Sequence, residues 1–124
     1  MNRLATLHAG FAAAGLLTAL ILSACHSYHI DATIENRTGA PIQLLEVDYP
    51  DASFGADSLA TGADFHYRFQ IRGSGPIKVS YTGANGKPVQ ISGPTLTEQQ
   101  QGKLLIVLEP AGKVEFQPAL SPHA

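Results

Sequence analysis

Phe65-His66-Tyr67-Arg68-Phe69-Gln70-Ile71-Arg72 alternates apolar and polar residues without a break. Side chains on a β-strand point to opposite faces in turn, so this stretch reads as a strand with one buried and one wet face. Phe65, Tyr67, Phe69 and Ile71 form the apolar row, and His66, Arg68, Gln70 and Arg72 the polar one. The same period extends in both directions. Downstream, Gly73-Ser74-Gly75-Pro76 is a tight connection, after which Ile77, Val79 and Tyr81 alternate with Lys78, Ser80 and Thr82. Gly83-Ala84-Asn85-Gly86 follows, and its Asn-Gly pair is the strongest short-range hairpin signal. Val89 and Ile91 mark a short strand, which Pro88 places at a sheet edge. Leu104 to Leu108 is a continuous apolar run, as expected of a central strand covered on both faces. Val114 and Phe116 make a last strand after Gly112.

Upstream of the opening stretch, Tyr28, Ile30, Ala32 and Ile34 alternate with His29, Asp31, Thr33 and Glu35, and Asn36 to Gly39 is a turn. Ile42 to Tyr49 is the second strand, and its phase slips between Leu44 and Leu45, which predicts a bulge. Two long loops are expected, from Tyr49 to about Asp64 and from Gly93 to Gly102, the second with a brief helical turn at Thr97 to Gln101. No part of residues 25–124 carries a sustained helical period. Seven short strands with frequent turns predict an all-β domain, a small two-sheet antiparallel β-sandwich similar to the immunoglobulin or transthyretin-like shapes. A small barrel is the alternative.

The first 24 residues differ from the rest. They hold Arg3 as their single formal charge, and Ala9 to Leu22 is apolar apart from Thr18. Fourteen residues are too few for a comfortable bilayer crossing, which needs about 20, and suit the apolar region of an export signal. Removing Arg3 from 8 Lys+Arg leaves 7 against 10 Asp+Glu, a net charge of −3. A mildly acidic domain is a poor nucleic-acid binder.

Leu22-Ser23-Ala24-Cys25 closes the apolar run and resembles the lipobox of bacterial lipoproteins. The resemblance implies that a diacylglycerol is attached to the Cys25 thiol, that the signal is cut between Ala24 and Cys25, and that the new amino terminus is acylated. Such a cysteine is a stable tether, since two or more acyl chains anchor a protein durably. His26, where an aspartate would resemble an inner-membrane retention signal, implies the outer membrane, facing the periplasm. The organisation expected is a helical, cleaved signal peptide at 1–24, a lipidated terminus and short tether at 25–29, the sandwich at 30–117 and a flexible tail at 118–124. An ordinary signal peptide on an exported soluble protein is the alternative.

Cys25 is the only cysteine, so lipidation consumes the only thiol and a disulfide is excluded. His26 and His29 have a spacing that a strand splits between faces, so no metal site is expected. Asp48, Asp51, Asp57 and Asp64 surround the first long loop without the register of a calcium loop. No nucleophile motif accompanies Ser53, Ser58, Ser74, Ser80 or Ser92, so neither catalytic residues nor a cofactor are expected. The candidate contact loop is Tyr49 to Gly55 and beyond, with Phe54, Asp51 and Asp57 as its contact residues; Phe54 either plugs the sandwich or meets a partner. The function expected is a lipid-anchored envelope protein with a non-enzymatic binding or assembly module and an envelope-protein partner. A small-ligand or glycan binder, needing exposed rings at Phe54, Tyr49 and Tyr67, is the alternative.

Overall fold

The computed structural model describes residues 28–122, whose regular structure is β-strand apart from one short 3-10 turn. The expected export signal and the expected cleavage residues Ala24 and Cys25 lie outside them, as do His26 and His123. Eight strands follow in order: β1 (Ile30–Asn36), β2 (Ile42–Tyr49), β3 (Ala52–Leu59), β4 (Asp64–Phe69), β5 (Gly75–Thr82), β6 (Pro88–Leu96), β7 (Gln101–Leu108) and β8 (Val114–Ser121). They form two four-stranded sheets, ordered β4-β1-β7-β8 and β3-β2-β5-β6. The chain is a small β-sandwich. Its order differs from the immunoglobulin one, in which the first strand pairs with the second, and leaves the transthyretin-like arrangement of the two expected shapes. All pairings are antiparallel except β1 with β7, which run parallel side by side.

The core lies between the sheets and is built from the alternate residues that the sequence pattern marks. Ile30, Ala32 and Ile34 of β1 meet Leu104, Ile106 and Leu108 of β7, and across the gap lie Val47 of β2 and Ile77, Val79 and Tyr81 of β5, all buried. Burying each such aliphatic side chain contributes about 1.5–3 kcal/mol before chain entropy is counted.

Five expectations are corrected, the first of which raises the seven expected strands to eight. Residues 49–64 are not a long loop: Pro50 and Asp51 turn the chain into β3, which pairs with β2 along its length, Tyr49 opposite Ala52 and Ile42 opposite Leu59. Its sequence, Ala-Ser-Phe-Gly-Ala-Asp-Ser-Leu, has no apolar alternation because only Phe54 and Leu59 are buried. Residues 93–102 are likewise not a loop, since β6 runs through Gly93 and Pro94 to Leu96 and only Thr97–Gln100 turns. Gly93 is there for packing: a Cβ would stand 2.6 Å from the Phe116 ring and 2.8 Å from Ile77. Third, β7 is central but covered on one face, with Leu105 and Val107 half-buried on the outer side. Fourth, the last strand does not end at Gln117. β8 pairs with β7 as far as Ser121, and Leu120 packs on the core, so the domain runs to 121 and the expected tail is mostly strand. Fifth, the opening stretch is shorter than its pattern, because β4 ends at Phe69 while Ile71 remains buried beyond the ladder.

The bulge falls where the phase slip placed it. The pairing of β2 with β5 shifts between Gln43 and Glu46, and Leu44 has φ 54°. The Asn-Gly hairpin also forms, with Gly86 at φ 77° and its amide donating to the Gly83 carbonyl at 2.9 Å.

Candidate functional site

The strand directions sort the loops into two ends. Ile30 lies level with Phe69 and Gly102, so the chain enters the domain at the end that carries the β2–β3, β4–β5 and β6–β7 connections. The β1–β2, β3–β4, β5–β6 and β7–β8 connections gather at the opposite end.

Of the three expected contact residues, Asp51 lies in the β2–β3 turn at the entry end, where its Oδ1 accepts a hydrogen bond from the Arg72 amide at 3.3 Å. Phe54 and Asp57 lie along β3. Phe54 is the plug of the two options: it is 7% exposed and its ring stacks on Tyr67 with centroids 4.3 Å apart. Tyr49 and Phe69 complete the seal, 4.4 Å apart, with Phe65 stacked 6.2 Å from Phe54. This row closes the β3/β4 side of the sandwich. Tyr67 is 41% exposed, while Phe54 is buried and Tyr49 half-buried. The three rings therefore pack on one another and do not form the open platform that glycan binding needs. Burial, then the charges of Tyr67 and Asp51, push the Tyr49 hydroxyl's pKa above its ordinary value.

The four aspartates do not converge. Asp64 lies 3.9 Å from Arg37, which also binds Glu35 at 2.7 Å, at the end opposite Asp51. Asp48 is level with Lys78. Arg68 of the polar row lies 3.5 Å from Asp31 across the β1–β4 ladder. His66 shares a hydrogen bond of 3.0 Å with Thr33, and His29 lies 3.4 Å from Gln70. Among the described residues no three His, Cys, Asp or Glu side chains gather as a metal site would require.

Two features were not legible as sites. Asn36 is fully buried, and its Nδ2 donates to the carbonyls of Ala40, Leu59 and Ala60 at 2.9, 3.1 and 3.1 Å. Its Oδ1 accepts from the Thr38 amide and hydroxyl at 3.1 and 2.7 Å. One side chain thus ties the β1–β2 loop to the crossing from β3 to β4. The signal available was an asparagine at a strand end before a turn, which does not reveal burial. The second is Leu44, 66% exposed, at the rim of an open cleft of about 650 Å³ that Glu46, Ser53, Gly55 and Asp57 also line. The phase slip located the bulge but not the exposure of this side chain.

A further cleft, of about 530 Å³, opens at the end away from the chain entry, between Asn85, Lys87, Glu109 and Pro110. Tyr81 lines it, 4% exposed, with its pKa raised by burial.

No protein-family model matches the chain, and no curated protein matches it. Among solved structures it is similar to the NMR structure of a protein from Eubacterium rectale, with a TM-score of 0.53 and 13% identity over 73% of this chain and 88% of that one. At that identity the likeness supports the fold and carries no function.

Proposed function

We propose that the chain is a lipid-anchored protein of a bacterial cell envelope, held by acyl groups on Cys25, and that its β-sandwich is a non-enzymatic binding or assembly module for another envelope protein. The observation that carries this reading is Leu22-Ser23-Ala24-Cys25 at the end of the apolar run, five residues before the first strand at Ile30. Five residues span at most about 18 Å. A domain on so short a tether works beside its own membrane, with the entry-end loops toward the lipid and the four opposite loops away from it. His26 in the position after the cysteine favours the outer membrane.

Mass spectrometry of the amino-terminal peptide tests the anchor. The expected peptide begins at Cys25 and carries diacylglycerol and an N-acyl chain, and Cys25→Ser releases the protein from the membrane fraction. An unmodified Cys25, or a Cys25→Ser protein still membrane-bound, contradicts it. The assembly half is tested in intact cells by photo-crosslinkers placed singly on each sheet edge; the absence of any protein adduct from all four edges overturns it.

A further inference from the structure

A sandwich has four edge strands, and each exposes unpaired backbone N–H and C=O groups that can template another strand. Here they are β4, β8, β3 and β6. Three are blunted in the usual ways. β6 contains Pro88 and Pro94, β8 contains Pro118, and β4 is six residues long and carries Asp64, His66 and Arg68. β3 has no such device. It is eight residues long, with no proline, no lysine or arginine, and Asp57 as its one charge.

Beside this edge the chain exposes an apolar side chain at a strained position. Leu44 is 66% exposed and sits in the left-handed region at φ 54°. A glycine would occupy that bulge position without the steric penalty of about 1–2 kcal/mol. Gln43 lies opposite Ser58 and Leu45 opposite Ala56, which sets Leu44 level with Asp57. Glu46 lies opposite Gly55, so no side chain of its β3 partner stands between it and the open edge. Gly55 must stay bare, because a Cβ there would sit on the Leu45 carbonyl oxygen. Neither Glu46 nor Asp57 has an ion pair or side-chain hydrogen bond among the described residues.

We infer that β3 accepts an extended, basic segment of a partner protein as a fifth strand of its sheet, with its lysine or arginine side chains reaching across β3 to Glu46 and Asp57 and their aliphatic stems lying on Leu44. Backbone hydrogen bonds along β3 supply affinity, and the side chains of the added strand supply specificity. A second copy of this chain fits less well. Pairing β3 with β3 would set the Asp57 and Glu46 carboxylates of both copies near one another with no basic residue in either strand to answer them. The inference rests on the assembly reading and names the partner's chemistry and docking edge.

The probe is a capped peptide of four Lys-Val repeats, titrated into the full lipidated protein in detergent micelles and followed by amide NMR. Its controls are the same peptide with Glu for Lys, and the Lys-Val peptide N-methylated at alternate residues so that it cannot add to a sheet. Binding is expected to move the amides of Ala52–Leu59, to weaken at least roughly tenfold with either control peptide, and to weaken roughly five- to tenfold with Leu44→Ser, as for a contact at the centre of an interface. The double variant Glu46→Gln, Asp57→Asn should weaken it similarly. Leu44 and both carboxylates are on the surface, so the fold is checked from the same spectra. Equal binding of the methylated peptide, shifts confined to β4, β6 or β8, no binding of the Lys-Val peptide, or self-association through β3 would each overturn the inference. None of these results touches the assembly reading, which fails only if no edge cross-links to a protein in the cell.

Discussion

β3 and β4 face each other along one side of the sandwich, and they differ in nearly every respect. β4 reads as a strand from its alternation alone, is short, and carries charges on its outer face. β3 shows no alternation, is longer, and carries one charge. Yet both are edge strands, and their rings seal the same seam. The difference teaches that the period of two encodes which face packs and not the strand itself. β4 turns its aromatic row to the seam, with Phe69 buried, Phe65 half-buried and Tyr67 stacked on Phe54 though 41% exposed, so its pattern is visible. β3 inserts Phe54 and Leu59 only, and its extended form comes from pairing with β2.

Breaking the shared seam should have the largest effect. Phe54→Ala removes a buried ring that touches Tyr49, Phe65, Tyr67 and Phe69, and should destabilise the domain by about 3 kcal/mol. Urea unfolding measures it, and a loss below about 1 kcal/mol would mean that the seam is not packed as described. Next comes the crossing between the two strands. Asn36→Ala leaves the carbonyls of Leu59 and Ala60 without their shared donor and should cost about 2 kcal/mol. Asn36→Asp should do no better, because an ionised carboxylate has no N–H to offer.

Tyr49 bridges the two strands and gives the comparison a pH dependence. Its hydroxyl is held neutral by burial and by neighbouring charges, so its folded pKa lies above the unfolded value near about 10. The resulting stabilisation is complete below the unfolded pKa and is lost as pH rises through the folded one. Tyr81, raised by burial, has the same sign. Alkaline unfolding curves should therefore fall above about pH 10, and Tyr49→Phe should flatten part of that fall. A curve that is equally steep in the variant would remove Tyr49 as a source. The smallest effect belongs to Leu44. Because its side chain is mostly exposed and its backbone left-handed, Leu44→Gly should leave stability within about 0.5 kcal/mol of the parent or raise it. A loss above about 1 kcal/mol would show that Leu44 serves the fold instead of the surface.

Much of the sandwich was legible because six stretches alternate and one apolar run lies at the centre. The hairpin at Asn85-Gly86 and the slip at Leu44 were legible for local reasons, since turn chemistry and strand phase are written in adjacent residues. The parts that escaped depend on distant residues. Gly93 looked like the start of a loop, but Phe116 fills its missing side chain from the opposite sheet. Leu105 and Val107 looked like a second buried face, but among the described residues no layer lies over the outer side of that sheet. Asn36 looked like a turn residue, and its five polar partners include two carbonyls more than twenty positions away. Among the candidate contact residues, Phe54 allowed two readings and its burial makes it a plug, whereas the exposure and left-handed backbone of Leu44 have no signature in the sequence.

The contrast between a paired and an open side of β3 is tested most directly by amide hydrogen exchange, residue by residue, across Ala52–Leu59. Amides bonded to β2 should exchange slowly, while their neighbours facing outward should exchange on the timescale of exposed chain, giving an alternating pattern in an edge strand of normal length. Uniformly fast exchange would mean that residues 52–59 are a loop after all. Uniformly slow exchange would mean that the edge is already covered, and the open strand at the centre of this account would not exist.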